Sequence, residues 1–367
     1  MLDNRATLSR LLDDNSIAMR QGATLSQSVP ALPEDFDFDR VAGMLLGVAI
    51  GDALGRPSEG MIPSRRKRSH GEVRGYHRHR RGGGGPSEGH PSDDTQLTFW
   101  TLEQLLADGG LSPSNLSDRL VSAGKIIGEG MTIRAFRSQA DQPWYARGID
   151  SAGNGALMRI TPVLLPHLRA PSEALWADAA LAGMITHNDS ASNAACVAFV
   201  SMLWSLLSMD APPPAGWWVR SFCEAAAPLE ITDYTPRGGD FPDFTGTLSE
   251  WVTLRLADIH DDPRDTATLC NTWHSGAYLL ETMACALAVL ERYAADPERA
   301  VIRAVNDTKD NDTIAAIVGA AVGALHGRRA WPGRWVKGLT GGLSRKDRGT
   351  VFALIDRAQQ QFWEDPA

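Results

Sequence analysis

The chain has 367 residues, of which 43% are hydrophobic and 22% charged, as in a soluble globular protein with a sizeable core. The formal net charge of -8 argues against a general nucleic-acid-binding protein and leaves small-molecule or protein partners open. Four cysteines occur without a C-x-x-C pair, so we expect buried structural thiols and neither a zinc site nor a disulfide framework.

The first 38 residues differ in composition from the rest of the chain. They are polar, include one short amphipathic segment at 8–19 that could form a helix, and end in a proline-containing, acidic stretch at 30–37. The start of the chain lacks the charged and then continuously apolar pattern of a signal peptide, so we expect a cytoplasmic protein. We interpret residues 1–38 as an N-terminal extension and residues 39–367 as a single domain.

Helical patterns dominate this domain from its first segment. Val41, Met44, Leu45 and Val48 fall at helical spacing, and glycines among them would let another helix approach closely. Apolar residues predict further helices at 97–106, 174–184, 194–209, 278–294, 314–325 and 351–362. The stretch at 194–209 is short for a membrane span, so we expect a buried helix and no membrane partner. Because strand patterns are scarce, we predict an all-α fold.

A long segment at 57–91 lacks a periodic pattern. It carries two basic runs, at 65–68 and 77–81, followed by four glycines at 82–85. A run of like charges is typical of a solvated loop, which is the structure that we predict here. The alternative is a surface for an acidic partner, since long loops in compact proteins often line a site.

Two clusters of oxygen-bearing side chains stand directly before helical patterns. They are Ser92-Asp93-Asp94-Thr95 and Asp310-Asn311-Asp312-Thr313. Each cluster could simply cap its helix, because Ser, Asp, Asn and Thr favour that position. Adjacent carboxylates repel one another unless a cation lies between them, however, and an all-oxygen ligand set suits Mg²⁺. The fold has to show whether the two clusters meet.

Longer motifs resemble the ADP-ribosylglycohydrolase family, which includes dinitrogenase reductase-activating glycohydrolases and ADP-ribosyl-acceptor hydrolases. The segment GMLLGVAIGDALGRPSE at 43–59 is similar to the opening helix and turn of that family. The other similar segments follow in family order: Ser92–Thr95, Gly153–Arg159 with Pro162, Thr186-His187, Tyr278–Thr282 and Asp310–Gly319. In combination these motifs are specific for the family.

The resemblance implies a compact all-α fold with a magnesium site of two ions. By motif position the metal ligands would be Ser92, Asp93 and Asp94 from one side and Asp310, Asp312 and Thr313 from the other. Asp312 would be the candidate bridge between the ions. Asp93 or Asp94 would be the general base that accepts a proton from the attacking water.

Two acidic residues near the first helix each have two alternative roles in this scheme. Glu59 occupies the position of a metal-linked or gating glutamate in some family members, although an exposed loop carboxylate would give the same sequence. Asp52 would either support the ligands from behind or cap the end of the helix.

The resemblance also implies an ADP-ribose-binding loop formed by Gly153, Asn154, Gly155, Met158 and Arg159, with His187 against the nucleotide or ribose. Glycines let backbone N–H groups approach a phosphate closely. The pair Asn154-Gly155 also fits a plain tight turn, and a lone histidine on an apolar helix is typical of a core residue.

Three positions depart from the family pattern. Ser92 replaces a threonine and keeps its hydroxyl, Asn311 stands between the late aspartates where the family has threonine, and Thr308-Lys309 replaces two glycines. A lysine beside a metal site could pair with a phosphate or disturb the ligand geometry, so this change bears on substrate affinity and activity.

The implied activity is Mg²⁺-dependent hydrolysis of the bond between ADP-ribose and a protein side chain, with arginine as the expected acceptor. The partner would then be an ADP-ribosylated protein, and the activity could protect a cell against an ADP-ribosylating toxin. The alternative is an immunity protein that blocks an ADP-ribosyltransferase toxin with residues 1–38 as an arm. That segment could instead be a disordered tail or a strap on the surface of its own domain. The full set of carboxylates favours the enzyme.

Overall fold

The structure is a computed structural model and describes residues 3–77, 88–238, 241–344 and 346–364. Within these residues the protein forms α-helices, short 3₁₀ helices and no β-strand, which confirms the all-α prediction. The α-helices are α1 Asn4–Asp13, α2 Asp39–Gly55, α3 Pro63–His70, α4 Asp93–Asp108, α5 Pro113–Val121, α6 Met131–Arg137, α7 Ala174–Met184, α8 Ser190–Leu207, α9 Trp217–Ala226, α10 Leu248–Leu256, α11 Thr266–Thr272, α12 Leu279–Tyr293, α13 Pro297–Asp307, α14 Asn311–His326, α15 Gly333–Gly338 and α16 Thr350–Phe362. The 3₁₀ helices are Ala23–Ser26, Arg56–Ser58, Trp144–Ala146, Leu157–Arg159, Thr161–His167, Ala227–Leu229 and Arg328–Ala330.

The core is built from helices that are apolar on most of their surface. The apolar stretch predicted at 194–209 is helix α8, which is long and apolar enough to cross a membrane, yet 89% of it is buried inside the protein. Three of the cysteines, Cys196, Cys270 and Cys285, are buried and free, and Cys223 is partly exposed and free. The buried-helix prediction is therefore confirmed, as is the prediction of structural thiols for the three buried cysteines.

Helices α2 and α14 lie antiparallel and in backbone contact. A β-carbon added to Gly47 would lie 2.1 Å from the carbonyl oxygen of Gly319, and one added to Gly51 would lie 2.1 Å from the carbonyl oxygen of Ala315. One turn farther on, a β-carbon at Gly55 would lie 2.4 Å from the carbonyl oxygen of Asn311. Only glycine permits so close an approach, as the spacing of the glycines in α2 indicated. The contact brings the C-terminal end of α2 to the N-terminal end of α14.

The N-terminal segment runs across the surface of the domain, and we call its described residues, 3–38, the strap. Leu11 in α1 is completely buried, and the indole N–H of Trp176 in α7 donates to the Gln27 carbonyl oxygen at 2.7 Å. The Asn4 side chain donates to Asp178 Oδ1 at 2.6 Å. These contacts hold the strap on its own domain, an arrangement that does not favour the arm hypothesis.

The basic run at 65–68 is not the solvated loop that its charge predicted. It lies in helix α3, and Arg66 has no exposed surface. The Arg66 guanidinium donates to Ser58 Oγ at 2.8 Å and to the Thr308 carbonyl oxygen at 2.7 Å. The prediction of a solvated loop was wrong because one arginine of the run, Arg66, is buried and has hydrogen-bond acceptors inside the protein. Most of the second basic run, 78–81, and the glycines at 82–85 fall outside the described residues.

Candidate active site

Three helix ends meet beside the α2–α14 contact. Asp52, near the C-terminal end of α2, accepts hydrogen bonds through Oδ2 from the backbone N–H groups of Ser92 at 2.9 Å and Thr95 at 3.1 Å, and from the Thr95 hydroxyl. These bonds fix the first turn of α4 against α2. Because Gly55 already touches the backbone of α14 at Asp312, the two acidic clusters of the sequence come together.

Two sets of three carboxylates lie at this meeting point. In each set the candidate ligand oxygens are within 4.8 Å of one another: Asp52, Asp94 and Asp312 form one set, and Glu59, Asp310 and Asp312 the other. Asp312 belongs to both sets, so the two sets form one continuous acidic site. Either set could hold a metal ion, since each offers three oxygen ligands.

The acidic site is electrostatically unfavourable as a group of bare carboxylates. Burial raises the pKa of Asp94 and of Asp312 well above the ordinary value, and the neighbouring carboxylates raise both pKa values further. Burial also raises the pKa of Asp310 to about 6. The Oδ1 atoms of Asp52 and Asp94 are buried without a hydrogen-bond partner. A hard divalent cation would relieve both conditions, so the residues present fit such an ion.

The remaining predicted ligands of the first cluster surround Asp94. Ser92 Oγ donates to Asp94 Oδ2 at 3.1 Å and accepts from the Asp94 N–H at 3.3 Å, so Ser92 also caps α4, as the capping interpretation predicted. Thr313 Oγ1 donates to the same Asp94 oxygen at 3.3 Å. Asp93 lies beside both carboxylate sets, and burial together with the charge of Asp52 raises its pKa well above the ordinary value. The structure thus brings every predicted ligand to one place.

Glu59 follows the short 3₁₀ helix at the end of α2. Glu59 as a whole is exposed, but its carboxylate lies with those of Asp310 and Asp312 in the second set. Loss of water around this carboxylate and the charge of Asp52 raise its pKa. The adjacent Gly60 N–H donates to the Lys309 carbonyl oxygen at 2.9 Å, which ties the turn to the start of α14. Of the two interpretations of Glu59, this placement favours the metal-linked one.

The predicted substrate loop reaches the acidic site through Asn154. The Asn154 side-chain amide donates to Asp310 Oδ2 at 2.6 Å and to Thr282 Oγ1 at 3.0 Å. Its backbone N–H donates to the Ala277 carbonyl oxygen at 3.0 Å. Thr282 in turn donates to the Gly276 carbonyl oxygen at 2.9 Å, so a chain of hydrogen bonds ties the loop to the segment before α12 as well as to Asp310. Asn154 therefore does more than form a turn.

Met158 and Arg159 form the C-terminal end of this loop. Both are buried, and Arg159 has no exposed surface. The guanidinium of Arg159 donates to the Ala182 carbonyl oxygen and to Thr186 Oγ1, both at 2.8 Å, and burial lowers its pKa to about 10. The structure gives Arg159 a supporting position, and substrate contact by either side chain stays a prediction.

His187 forms the floor under the glycines of the loop. A β-carbon added to Gly155 would lie 2.8 Å from His187 Cε1, and one added to Gly153 would lie 3.4 Å from His187 Nε2. His187 Nδ1 is 3.0 Å from Thr186 Oγ1. Burial and, to a smaller extent, the positive charge of Arg159 together lower the pKa of His187 to about 3, so the ring is neutral. Gly155 is thus required for the ring to lie this close to the loop, whereas an added β-carbon at Gly153 would only reach van der Waals contact with the ring.

The departures from the family motif lie around the same site. Asn311 is completely buried and donates to Ser58 Oγ and to the Val305 carbonyl oxygen, both at 3.1 Å. Lys309 Nζ is 3.4 Å from His274 Nε2. The side chain of Asn311 therefore has its own partners in the core, and that of Lys309 lies against His274.

Sequence reasoning missed several supporting residues. Arg66 and Ser58 join the Glu59 turn to the start of α14, and Thr282 holds Asn154. Nothing in the sequence could have found Arg66, since it stands among equally basic neighbours. The sequence predicts that Asp52 either supports the ligands from behind or caps a helix; in the structure its Oδ2 accepts from backbone N–H groups at the start of α4, and the residue belongs to a carboxylate set.

Comparison with known proteins identifies the family of the chain. The sequence profile of the ADP-ribosylglycohydrolase family matches residues 33–366. The chain belongs to this family. Membership makes it an ADP-ribosyl hydrolase, as the motifs implied.

Similar proteins agree with this assignment. The ADP-ribosyl-[dinitrogen reductase] glycohydrolase of Rhodospirillum rubrum is 28% identical over 86% of this chain and 96% of its own length. The ADP-ribosylarginine hydrolase Tri1 of Pseudomonas putida (strain GB-1) is 24% identical over 88% of this chain and 79% of its own length. A solved structure described as an ADP-ribosylglycohydrolase-related protein complex is 26% identical, with a TM-score of 0.61, over 88% of this chain and 98% of that chain.

Proposed function

We propose that this ADP-ribosylglycohydrolase is a magnesium-dependent enzyme that removes ADP-ribose from modified arginine side chains of proteins. The observation that carries the proposal is the acidic site in which Asp312 belongs to two sets of three carboxylates. Such an arrangement suits two Mg²⁺ ions that share one ligand. The names of the relatives from Rhodospirillum rubrum and Pseudomonas putida support the substrate class.

The oxygen ligands would divide between two sides. Asp52, Asp94 and Asp312 would hold one ion, and Glu59, Asp310 and Asp312 the other, with the hydroxyls of Ser92 and Thr313 orienting Asp94. Bound Mg²⁺ would supply Lewis acidity toward the ribose hydroxyls and would lower the pKa of a coordinated water.

The side chains of the protein would supply the remaining chemistry. Water attacks the C1″ carbon of the ribose as the bond from C1″ to the guanidine nitrogen breaks, and the transition state has oxocarbenium character. Asp93 lies beside both carboxylate sets and is our candidate to take the proton of the water, with Asp94 as the second candidate. The arginine nitrogen keeps the electron pair of the broken bond and gains a proton. The loop at Gly153, Asn154 and Gly155 would hold the ADP-ribose, with neutral His187 beneath it.

The test is release of ADP-ribose from a protein that carries the modification on arginine. We expect release with Mg²⁺ and none with excess EDTA, and we expect Asp93→Ala to stop release while the protein keeps its fold. Retained activity in Asp93→Ala would contradict the assignment of Asp93 as the general base. Retained activity in EDTA would contradict the proposed requirement for Mg²⁺.

A parallel assay with serine-linked ADP-ribose separates the acceptor from the activity. Release from arginine but not from serine supports the proposed acceptor. Release from serine alone would keep the hydrolase and replace the acceptor. No release from either substrate would overturn the proposed activity and would favour the alternative, a protein that blocks an ADP-ribosyltransferase toxin.

Protection against an ADP-ribosylating toxin in the cytoplasm is the physiological role that we propose for this activity. Cells that express the wild-type chain should survive an arginine-modifying toxin that kills cells expressing Asp93→Ala. Equal survival with both proteins would show that protection does not depend on hydrolysis, as a toxin-blocking protein would behave.

A further inference from the structure

Asn188 is the point at which the strap meets the substrate loop. Asn188 follows His187 directly, and its side chain faces the strap: Oδ1 accepts from the Ala18 N–H at 2.9 Å, and Nδ2 donates to the Ser16 carbonyl oxygen at 2.9 Å. A second donor to Asn188 Oδ1, the Asn193 amide at 3.2 Å, comes from α8. One side chain is therefore bonded on both of its polar atoms, mostly to backbone of the strap.

The backbone of Asn188 faces the other way, toward the start of the substrate loop. Its N–H donates to the Ile149 carbonyl oxygen at 2.9 Å, and the Ile149 N–H donates to the Thr186 carbonyl oxygen at 3.1 Å. Gly148 fits so tightly beside this pair that an added β-carbon would lie 2.9 Å from the Asn188 β-carbon. The chain then leads from Ile149 to Gly153 within four residues. The position of Asn188 thus sets the position at which the loop begins.

We propose that Asn188 is a positioning residue through which the strap holds the loop at Gly153–Arg159, and the His187 ring beneath it, in the geometry that binds ADP-ribose. This proposal rests on the proposed function of that loop. The family profile begins at residue 33, so Ser16 and Ala18 lie outside the part of the chain that the family shares. The bonds to Asn188 therefore come from a part of the strap that the family match does not include.

The anchoring of the strap makes this support firm. Ile17 and Met19, which flank Ala18, are buried, with 2% and 4% of their surfaces exposed. The Arg20 N–H donates to the Leu229 carbonyl oxygen at 3.0 Å. Because residues on both sides of Ala18 are fixed in the core, the bonds to Asn188 hold it against a rigid partner rather than a mobile tail.

The experiment compares Asn188→Ala and Asn188→Asp with Trp176→Phe in the full-length protein. Asn188→Ala removes both side-chain bonds to the strap, and Asn188→Asp keeps the acceptor for the Ala18 N–H and loses the donor to Ser16. Trp176→Phe is the matched control, since it removes a strap hydrogen bond, to Gln27, that does not involve Asn188.

Binding of ADP-ribose is the first measurement. We expect Asn188→Ala to weaken ADP-ribose binding and raise KM about tenfold, with kcat within about twofold of wild type, because one or two hydrogen bonds are lost. Asn188→Asp should fall between Asn188→Ala and wild type. Trp176→Phe should bind as wild type does. Equal affinities in all the variants would overturn the proposal.

Hydrogen exchange separates this proposal from the proposed function. In Asn188→Ala, but not in Trp176→Phe, the backbone N–H groups of Ile149 and Asn154 should exchange faster, since the loop loses its fixed origin. Unchanged exchange would overturn the positioning role even if hydrolysis is established. Faster exchange in a protein that neither binds nor hydrolyses ADP-ribose would keep the mechanical link and remove the function on which the proposal rests.

Discussion

The acidic site and the substrate loop are neighbours, but they are held in place by different forces. The acidic site depends on backbone contact between α2 and α14 and gathers carboxylates whose pKa values are raised by burial. The loop is held mainly by hydrogen bonds between neutral groups, from Asn154 to Thr282 and from Asn188 to the strap, with one further bond from Asn154 to the Asp310 carboxylate. The first region gathers carboxylates whose mutual repulsion a cation would relieve, whereas the Asn154 and Asn188 side chains that hold the second already have hydrogen-bond partners. Metal and substrate should therefore affect the two regions to different degrees.

The largest effect that this comparison predicts is the loss of the shared carboxylate. Asp312→Asn keeps the size of the side chain and removes a charge from both carboxylate sets. Release of ADP-ribose should fall by a factor of about a thousand or more, because several kcal/mol of metal-dependent stabilisation are lost. Without metal, the same variant should have a higher Tm than wild type, since repulsion is relieved. An active Asp312→Asn, or one with a lower Tm in EDTA, would contradict the account of the acidic site.

The second prediction concerns the stability of the metal-free protein as a function of pH. A carboxyl whose folded pKa is raised binds more protons when folded, so the free energy of unfolding falls as pH rises. For Asp310, whose pKa is raised from 3.8 to about 6, the fall should span that window and amount to about 3 kcal/mol. Urea unfolding in EDTA at a series of pH values measures it. The fall should largely disappear with saturating Mg²⁺, and equal curves with and without Mg²⁺ would show that the carboxylates do not bind it.

The third prediction tests the helix contact that assembles the acidic site. Gly47→Ala would gain about 1 kcal/mol of helix propensity, but its methyl group would lie 2.1 Å from the Gly319 carbonyl oxygen. Backbone cannot yield as a side chain does, so we expect a net loss of about 2 kcal/mol or more in the free energy of unfolding. Gly333→Ala, at an exposed helix position with nothing near the added carbon, is the control and should change stability by less than about 0.5 kcal/mol. Equal stability of the two variants would exclude the close contact.

The smallest predicted effect concerns the substrate loop. Because burial holds the pKa of His187 at about 3, the ring stays neutral and the pH–rate profile should show no histidine titration between about pH 5.5 and 8. His187→Gln should keep the shape of that profile and change mainly KM. The folded state resists protonation of the ring, so wild type should lose stability as pH falls below about 6.5 and the variant should lose less. A profile that changes shape in His187→Gln would assign the histidine a proton-transfer role.

Local pattern determined much of the fold before any contact was known. The 3.6-residue period predicted α7, α8 and α14 because their apolar residues repeat along a single helix, and the glycine spacing in α2 indicated a close helix partner. Local pattern did not predict α3, because the run of positive charges at 65–68 indicated a solvated loop and not a helix. There the burial of Arg66 depends on acceptors from Ser58 and from Thr308, which is far away in the chain.

The sequence by itself determined that this protein is helical, that it carries two clusters of carboxylate and hydroxyl groups, and that its motifs follow those of the ADP-ribosylglycohydrolases. Only the tertiary structure decided that Asp52 completes a carboxylate set, that Asn154 joins the loop to Asp310, and that the N-terminal segment supports that loop through Asn188. The physical reason is range. Helix period and capping act within a few residues, whereas repulsion, burial and hydrogen bonds depend on which distant segments the packing of α2 against α14 brings together.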